Sequence, residues 1–152
     1  MINWGEFEHI HVIKKLKQIL NSWWNIEVVF TSEGGELRGY DISKSPFKNP
    51  SVGFLISKEG GQQSLKDLVT NSLQELKGTG QKFTVKKWDL AGYDVGVFPI
   101  YIENDCVGTV VAMGFLTGDA YQARLQEVRS KLSVAGLTTD AIEKSLAKVK
   151  YL

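Results

Sequence analysis

The chain has 152 residues with 43% hydrophobic and 23% charged positions, values that suit one ordinary globular domain and exclude a disordered or low-complexity chain. Eighteen basic against 17 acidic residues leave a formal net charge of +1, which gives no broad phosphate-binding surface and no acidic tail. A single cysteine, Cys106, excludes an intrachain disulfide and points to a reducing, cytoplasmic setting. No basic stretch followed by an apolar run opens the chain, and no run approaches the ~18 apolar residues of a membrane span, so neither a signal peptide nor a membrane partner is expected.

Residues 4–24 are predicted to form a long amphipathic helix. Phe7, Ile10, Ile13, Leu16, Leu20 and Trp23 recur at three- and four-residue spacing, and Val12, Ile19 and Trp24 widen the stripe. Lys14, Lys15 and Lys17 supply the wet side. A stripe so wide predicts burial against more than one neighbour, such as a sheet on one side and a partner helix on the other. Ile26–Thr31 is a β-branched run that ends in the turn Ser32-Glu33-Gly34-Gly35. Residues 36–48 have no clear period and are expected to form a loop or lid before a short helix at Val52–Ile56, after Pro50.

Ser64, with Asp67 three residues on, resembles a capping box and is expected to open a second helix. Leu65, Leu68, Val69, Leu73 and Leu76 form its stripe, and Gly78 and Gly80 end it. Lys82–Leu90 reads as a strand. Tyr93–Ile102 and Val107–Leu116 read as a hairpin joined by Glu103-Asn104-Asp105, a loop longer than the two-residue kind. Their near-continuous hydrophobicity predicts cover on both faces. A third helix is expected from Thr117-Gly118-Asp119, with Tyr121, Leu125, Val128 and Leu132 inward and Gly136 closing it. Thr138 or Thr139 then caps a fourth, with Ile142, Leu146 and Val149 inward. The order predicts a single α+β domain over residues 1–152, with an antiparallel sheet flanked by helices.

Few residues invite catalysis. His9 and His11 lie two apart, which puts them on different sides of a helix, and no other ligand stands at metal spacing, so no metal site is expected. Asp105 beside Cys106 disfavours the thiolate, and a small hydrophobe entering a strand is the expected role. The glycine pairs lack phosphate-loop spacing. Lys82, Lys86 and Lys87 with Phe83 and Trp88 mix basic and aromatic character, but solvated strand lysines are preferred to direct nucleic-acid contact. The aromatic inventory leaves two readings open, a filled core or an apolar pocket with a few polar tips.

The stretch Trp88–Gly114 resembles the sensory domains named after the regulator PocR, themselves similar to GAF and PAS domains. Pro99-Ile100, Gly108 and Gly114 fit that pattern, whereas Asp89 stands where the family's usual cysteine precedes the first glycine. A function tied to that cysteine is therefore not carried over. The runs Phe7–Val12, Asn21–Ile26, Asp94–Ile102 and Lys148–Leu152 resemble the amino-terminal region of sigma-54-dependent, Fis-type transcription regulators of delta-proteobacterial kind. In that class the domain precedes an AAA+ ATPase and a helix-turn-helix, and this sequence has no Walker A motif and no GAFTGA-like loop.

The resemblance implies a non-catalytic PAS/GAF/PocR-like sensory domain that binds an unidentified small molecule or partner. The expected ligand-binding residues are Trp24, Trp88, Tyr93, Phe98, Tyr101 and Met113. No cofactor is named by the sequence. The double-faced first helix predicts a homo-oligomer, and the alternative function is a dimerisation or protein-interaction module with a filled core and no ligand.

Overall fold

The computed structural model describes residues 26–38, 49–147 and 149–151, so the predicted first helix and residues 39–48 of the predicted loop lie outside the described residues. The strands are β1 (Glu27–Thr31), β2 (Leu37–Arg38), β3 (Thr84–Lys87), β4 (Asp94–Ile102), β5 (Asp105–Leu116) and β6 (Lys150–Tyr151). The helices are α1 (Pro50–Ile56), α2 (Glu59–Thr79), α3 (Tyr121–Ala135) and α4 (Thr139–Ala147). The strands run β2-β1-β5-β4-β3, all antiparallel, which is the α+β plan expected from the sequence. Two strands were not foreseen, β2 inside the expected 36–48 loop and β6 after α4. Strand β6 pairs parallel with Phe115 and Leu116, just past Met113, where β1 stops using β5.

Strand alternation divides the sheet into two unequal faces. Val29, Val95, Val97, Val111 and Met113 are fully buried and meet Leu55, Leu65, Val69, Val128, Leu132 and Ile142 in one core on the helix side. The opposite, outer face carries Val28, Phe30, Val85, Phe98, Val110 and Ala112, as their registers with the inward residues require. The hairpin is therefore not covered throughout. Phe98 and Ile102 are exposed on the outer face, and Tyr101 is exposed on the helix side toward the free end.

The hairpin turn also differs from its predicted length. Ile102 pairs with Asp105, and Glu103 and Asn104 have φ of 51° and 74°, the two-residue type I′ geometry. Asn tolerates this left-handed conformation well, whereas Glu103 is an unusual occupant that hid the turn from the sequence. At the other end, β5 skips Gly114 (φ 86°) between the partners of Asp94 and Val95, a bulge that glycine permits.

Helix α1 starts as its sequence dictates. The Asn49 side chain accepts from the backbone N–H of Ser51 and Val52, and Pro50 follows at the first position. Asn49 N donates in turn to Glu27 Oε1 at 2.7 Å, which ties the helix start to β1. The Ser51 hydroxyl donates to Asn49 Oδ1 and shares a 2.9 Å hydrogen bond with the Tyr93 hydroxyl. Burial pushes the Tyr93 phenol above its ordinary range, partly offset by its hydrogen bonds to Ser51 and Asn49.

Helix α2 begins at Glu59, earlier than the Ser64 start expected from the capping pattern. Gly60 and Gly61 belong to its first turn, and a Cβ on Gly61 would stand 1.8 Å from the Leu55 carbonyl oxygen. Glycine thus permits α2 to start against the end of α1. Ser64 instead serves a distant partner, and its hydroxyl accepts from Trp88 Nε1 at 2.9 Å. Gly80 ends α2 in the left-handed conformation, as predicted. Helix α3 starts at Tyr121 rather than Thr117, and Gly136 closes it with φ of 103°. Thr138, not Thr139, caps α4, its Oγ1 accepting from Ala141 N at 3.3 Å.

Candidate functional site

Of the six residues expected to line a pocket, the five that the structure describes lie in three separate places. Trp24 lies outside the described residues. Trp88, Tyr93 and Met113 are 1%, 0% and 0% exposed and belong to the hydrophobic core, Trp88 also bordering a shallow cleft between α2 and β3. Phe98 points to the outer face, where it stacks on Phe83 with ring centroids 5.3 Å apart. Tyr101 points to the helix side, since it is odd-numbered on β4 like Val95 and Val97. Period-two alternation thus separates Phe98 from Tyr101, which sequence proximity alone had grouped.

Tyr101 does line a groove. It opens where the free end of the β4–β5 hairpin, the second half of α2 and the turn after β1 meet. Its volume is about 530 Å³, within the usual range for small-molecule sites. Tyr101 and Leu73 supply the apolar wall, with Cys106 beside them. Lys77 brings one cation, Glu33 and Asp105 bring carboxylates, and Thr70, Gln74 and Asn104 add neutral polar groups. The type I′ turn positions four of the lining residues at once: it carries Asn104 and places Asp105 opposite Ile102, beside the Tyr101–Cys106 pair.

Cys106 is partly buried, and its Sγ makes a weak 3.5 Å hydrogen bond to the Gly108 carbonyl rather than to a base. That suits the small-hydrophobe role better than an activated nucleophile. Among the described residues there is no group of three or more His, Cys, Asp or Glu side chains placed to hold a metal ion, and His9 and His11 lie outside them. The groove offers a half-wet aromatic surface flanked by opposite charges, which fits a small amphipathic molecule with polar ends.

Sequence reasoning missed Glu33, Leu73 and Lys77. Leu73 read only as a core residue of a helix stripe, and Glu33 as part of a turn. Nothing in the sequence brings a residue after β1 beside the second half of α2; only the sheet order does.

A second polar cluster is structural. Asp94, 4% exposed, accepts from Thr117 N and Thr117 Oγ1, both at 2.7 Å, and from Arg124 Nη2 at 2.7 Å. Arg124 Nη2 also donates to the Gly92 carbonyl at 3.0 Å. The cluster fastens β4, the start of the α3 connection and α3 itself to one another. Nearby, Glu127 receives Lys87 Nζ at 2.8 Å, and this hydrogen bond holds its carboxyl below the usual range. Lys86 pairs with Glu75, so two of the three lysines on the basic-aromatic strand are drawn to helix carboxylates. That pairing favours the solvated-lysine reading over a nucleic-acid surface.

Among the described residues no helix is long and apolar enough to cross a membrane. Comparisons of the chain with protein-family models, with curated proteins and with solved structures gave no match.

Proposed function

We propose that this is a non-catalytic signal-receiving domain of the PocR/GAF/PAS-like kind, which takes a small molecule in the groove between α2 and the end of the β4–β5 hairpin. The observation that carries the reading is the groove itself, about 530 Å³ with Tyr101 and Leu73 on one wall and Lys77, Glu33 and Asp105 around it. In a cytoplasmic sigma-54-dependent regulator such a domain would control an AAA+ ATPase outside this sequence, and would not contact nucleic acid directly. Occupancy would fix the free end of the hairpin against α2. Strand β5 runs from that end to its pairing with β6, so it offers a path from the groove to the last strand. A ligand drives such a change only by binding one arrangement more tightly than the other.

A second reading has its own support. The tight burial of Trp88, Tyr93 and Met113 favours an interaction module with a filled core and no ligand. A thermal-shift screen of metabolites and nucleotides separates the two. A ligand at a hundred times its dissociation constant adds about 2.7 kcal/mol, or roughly 5–10 °C for a chain of this length. The shift is expected to vanish in Tyr101→Ala and to weaken in Lys77→Ala, both exposed-side changes that leave the core intact. A screen with no shift, or a shift that survives both substitutions, decides against the groove.

A further inference from the structure

Three charges line the groove between α2 and the β4–β5 hairpin, and they come from three different elements. Glu33 belongs to the turn after β1, Lys77 to the last turn of α2 and Asp105 to the start of β5. Among the described residues, Lys77 has no carboxylate within 4.0 Å, and neither Glu33 nor Asp105 has a cation within that distance. Two other charges of α2 do find partners: Glu75 takes Lys86 of β3, and Lys66 faces Glu36, which also holds Arg38. The groove thus gathers charges of both signs and leaves them apart. It also has an apolar wall, where Leu73 is buried and Tyr101 keeps 53% exposure.

We infer that the ligand of this groove is a zwitterion with an apolar body, of the class of the apolar α-amino acids, an assignment that rests on the groove being the binding site. The balance of charge sets the orientation. Two carboxylates against one lysine make the groove acidic, so the ammonium is the end held most strongly, by Glu33 and Asp105. The exposed ring of Tyr101 adds a face that attracts a cation. Lys77 takes the carboxylate end. The apolar body lies on Leu73 and Tyr101 and removes their surface from water. The amides of Gln74 and Asn104 carry both a donor and an acceptor and can serve either end. A simple anion would meet two carboxylates for one lysine, and a simple amine would leave Lys77 unused. A zwitterion answers all three charges.

The test is a calorimetric titration of the full chain at low salt, where exposed charges act most strongly. The probes are L-phenylalanine and L-leucine, phenethylamine, which lacks the carboxylate, and hydrocinnamate, which lacks the ammonium. The amino acids should bind most tightly, then the amine, with hydrocinnamate weaker than phenylalanine by about tenfold or more. Asp105→Asn should weaken phenylalanine and phenethylamine alike, by about tenfold. Lys77→Gln should weaken phenylalanine by a similar factor and leave phenethylamine no weaker. Hydrocinnamate binding as tightly as phenylalanine, phenethylamine binding lost in Lys77→Gln, or no binding by any of the probes overturns the assignment. Tyr101→Ala separates its failure from that of the groove itself. A ligand indifferent to both charge substitutions but lost in Tyr101→Ala leaves the groove standing and removes only the zwitterion. Phenylalanine binding that survives Tyr101→Ala puts the site elsewhere and removes both.

Discussion

Replacing Asp94 by alanine is expected to lower the unfolding free energy by about 3 kcal/mol, the low end for breaking a buried ion pair on one side. Asp94 is nearly fully buried, while the Arg124 side chain keeps 20% exposure, and water reaching it moderates the loss. Removing the carboxylate leaves the Arg124 guanidinium with only the Gly92 and Thr117 carbonyls and the more distant Glu127, and orphans both the N–H and the hydroxyl of Thr117. Asp94→Asn should fall between, since the amide oxygen can still accept from Thr117 but offers Arg124 no charge. Urea denaturation reads the difference directly, and a loss under 1 kcal/mol for the alanine variant would show that the cluster behaves like a surface pair.

Trp88→Ala is the second large effect, expected at about 3–5 kcal/mol. The indole is 1% exposed, lies among the core residues under α2, and donates to Ser64. Its segment is also a crossing point. Trp88 N donates to the Tyr93 carbonyl at 2.8 Å, and the Trp88 carbonyl accepts from Ala91 and Gly92, so a tight turn closes between Trp88 and Tyr93. Trp88→Phe should cost less, because much of the ring volume is kept even though the Ser64 hydroxyl loses its donor. Calorimetry or chemical denaturation with both variants checks the order. If Trp88→Ala unfolds with an unchanged midpoint, the indole is not a core anchor. Against a total of roughly 5–15 kcal/mol for a domain, either substitution removes a large share of the stability.

The elements that the sequence announced most clearly are those with a strong local cause. The α2 stripe, the glycine stops at Gly80 and Gly136, Pro50 at the start of α1 and the two hairpin strands all appear where periodicity or backbone geometry predicted them. Starts were harder than stops. Ser64 and Thr117 look like caps, but one hydroxyl serves Trp88 and the other Asp94, both far away along the chain. The competing partner was tertiary, and nothing near either residue signals it. The aromatic residues were legible as core or surface only one by one. Trp88 and Tyr93 are core, and Phe98 and Tyr101 fall on opposite faces of one strand. Of the groove, Tyr101 was foreseen, while Glu33 and Lys77 required knowing that β1 lies beside β5.

The type I′ turn at Glu103-Asn104 also sets an order of events in folding. It joins β4 to β5 across two residues, whereas Thr31 and Thr109, hydrogen-bonded across β1 and β5, are 78 positions apart. Closing the longer loop costs roughly 3 kcal/mol more in chain entropy. The hairpin should therefore zip within microseconds and wait for β1. During that interval the second edge of β5 is an unpaired, apolar template, the stage at which the chain is most prone to associate wrongly. Val97→Ala should then slow folding, while Val29→Ala should mainly speed unfolding. Stopped-flow chevrons in which Val29→Ala carries the larger folding defect would reverse that order.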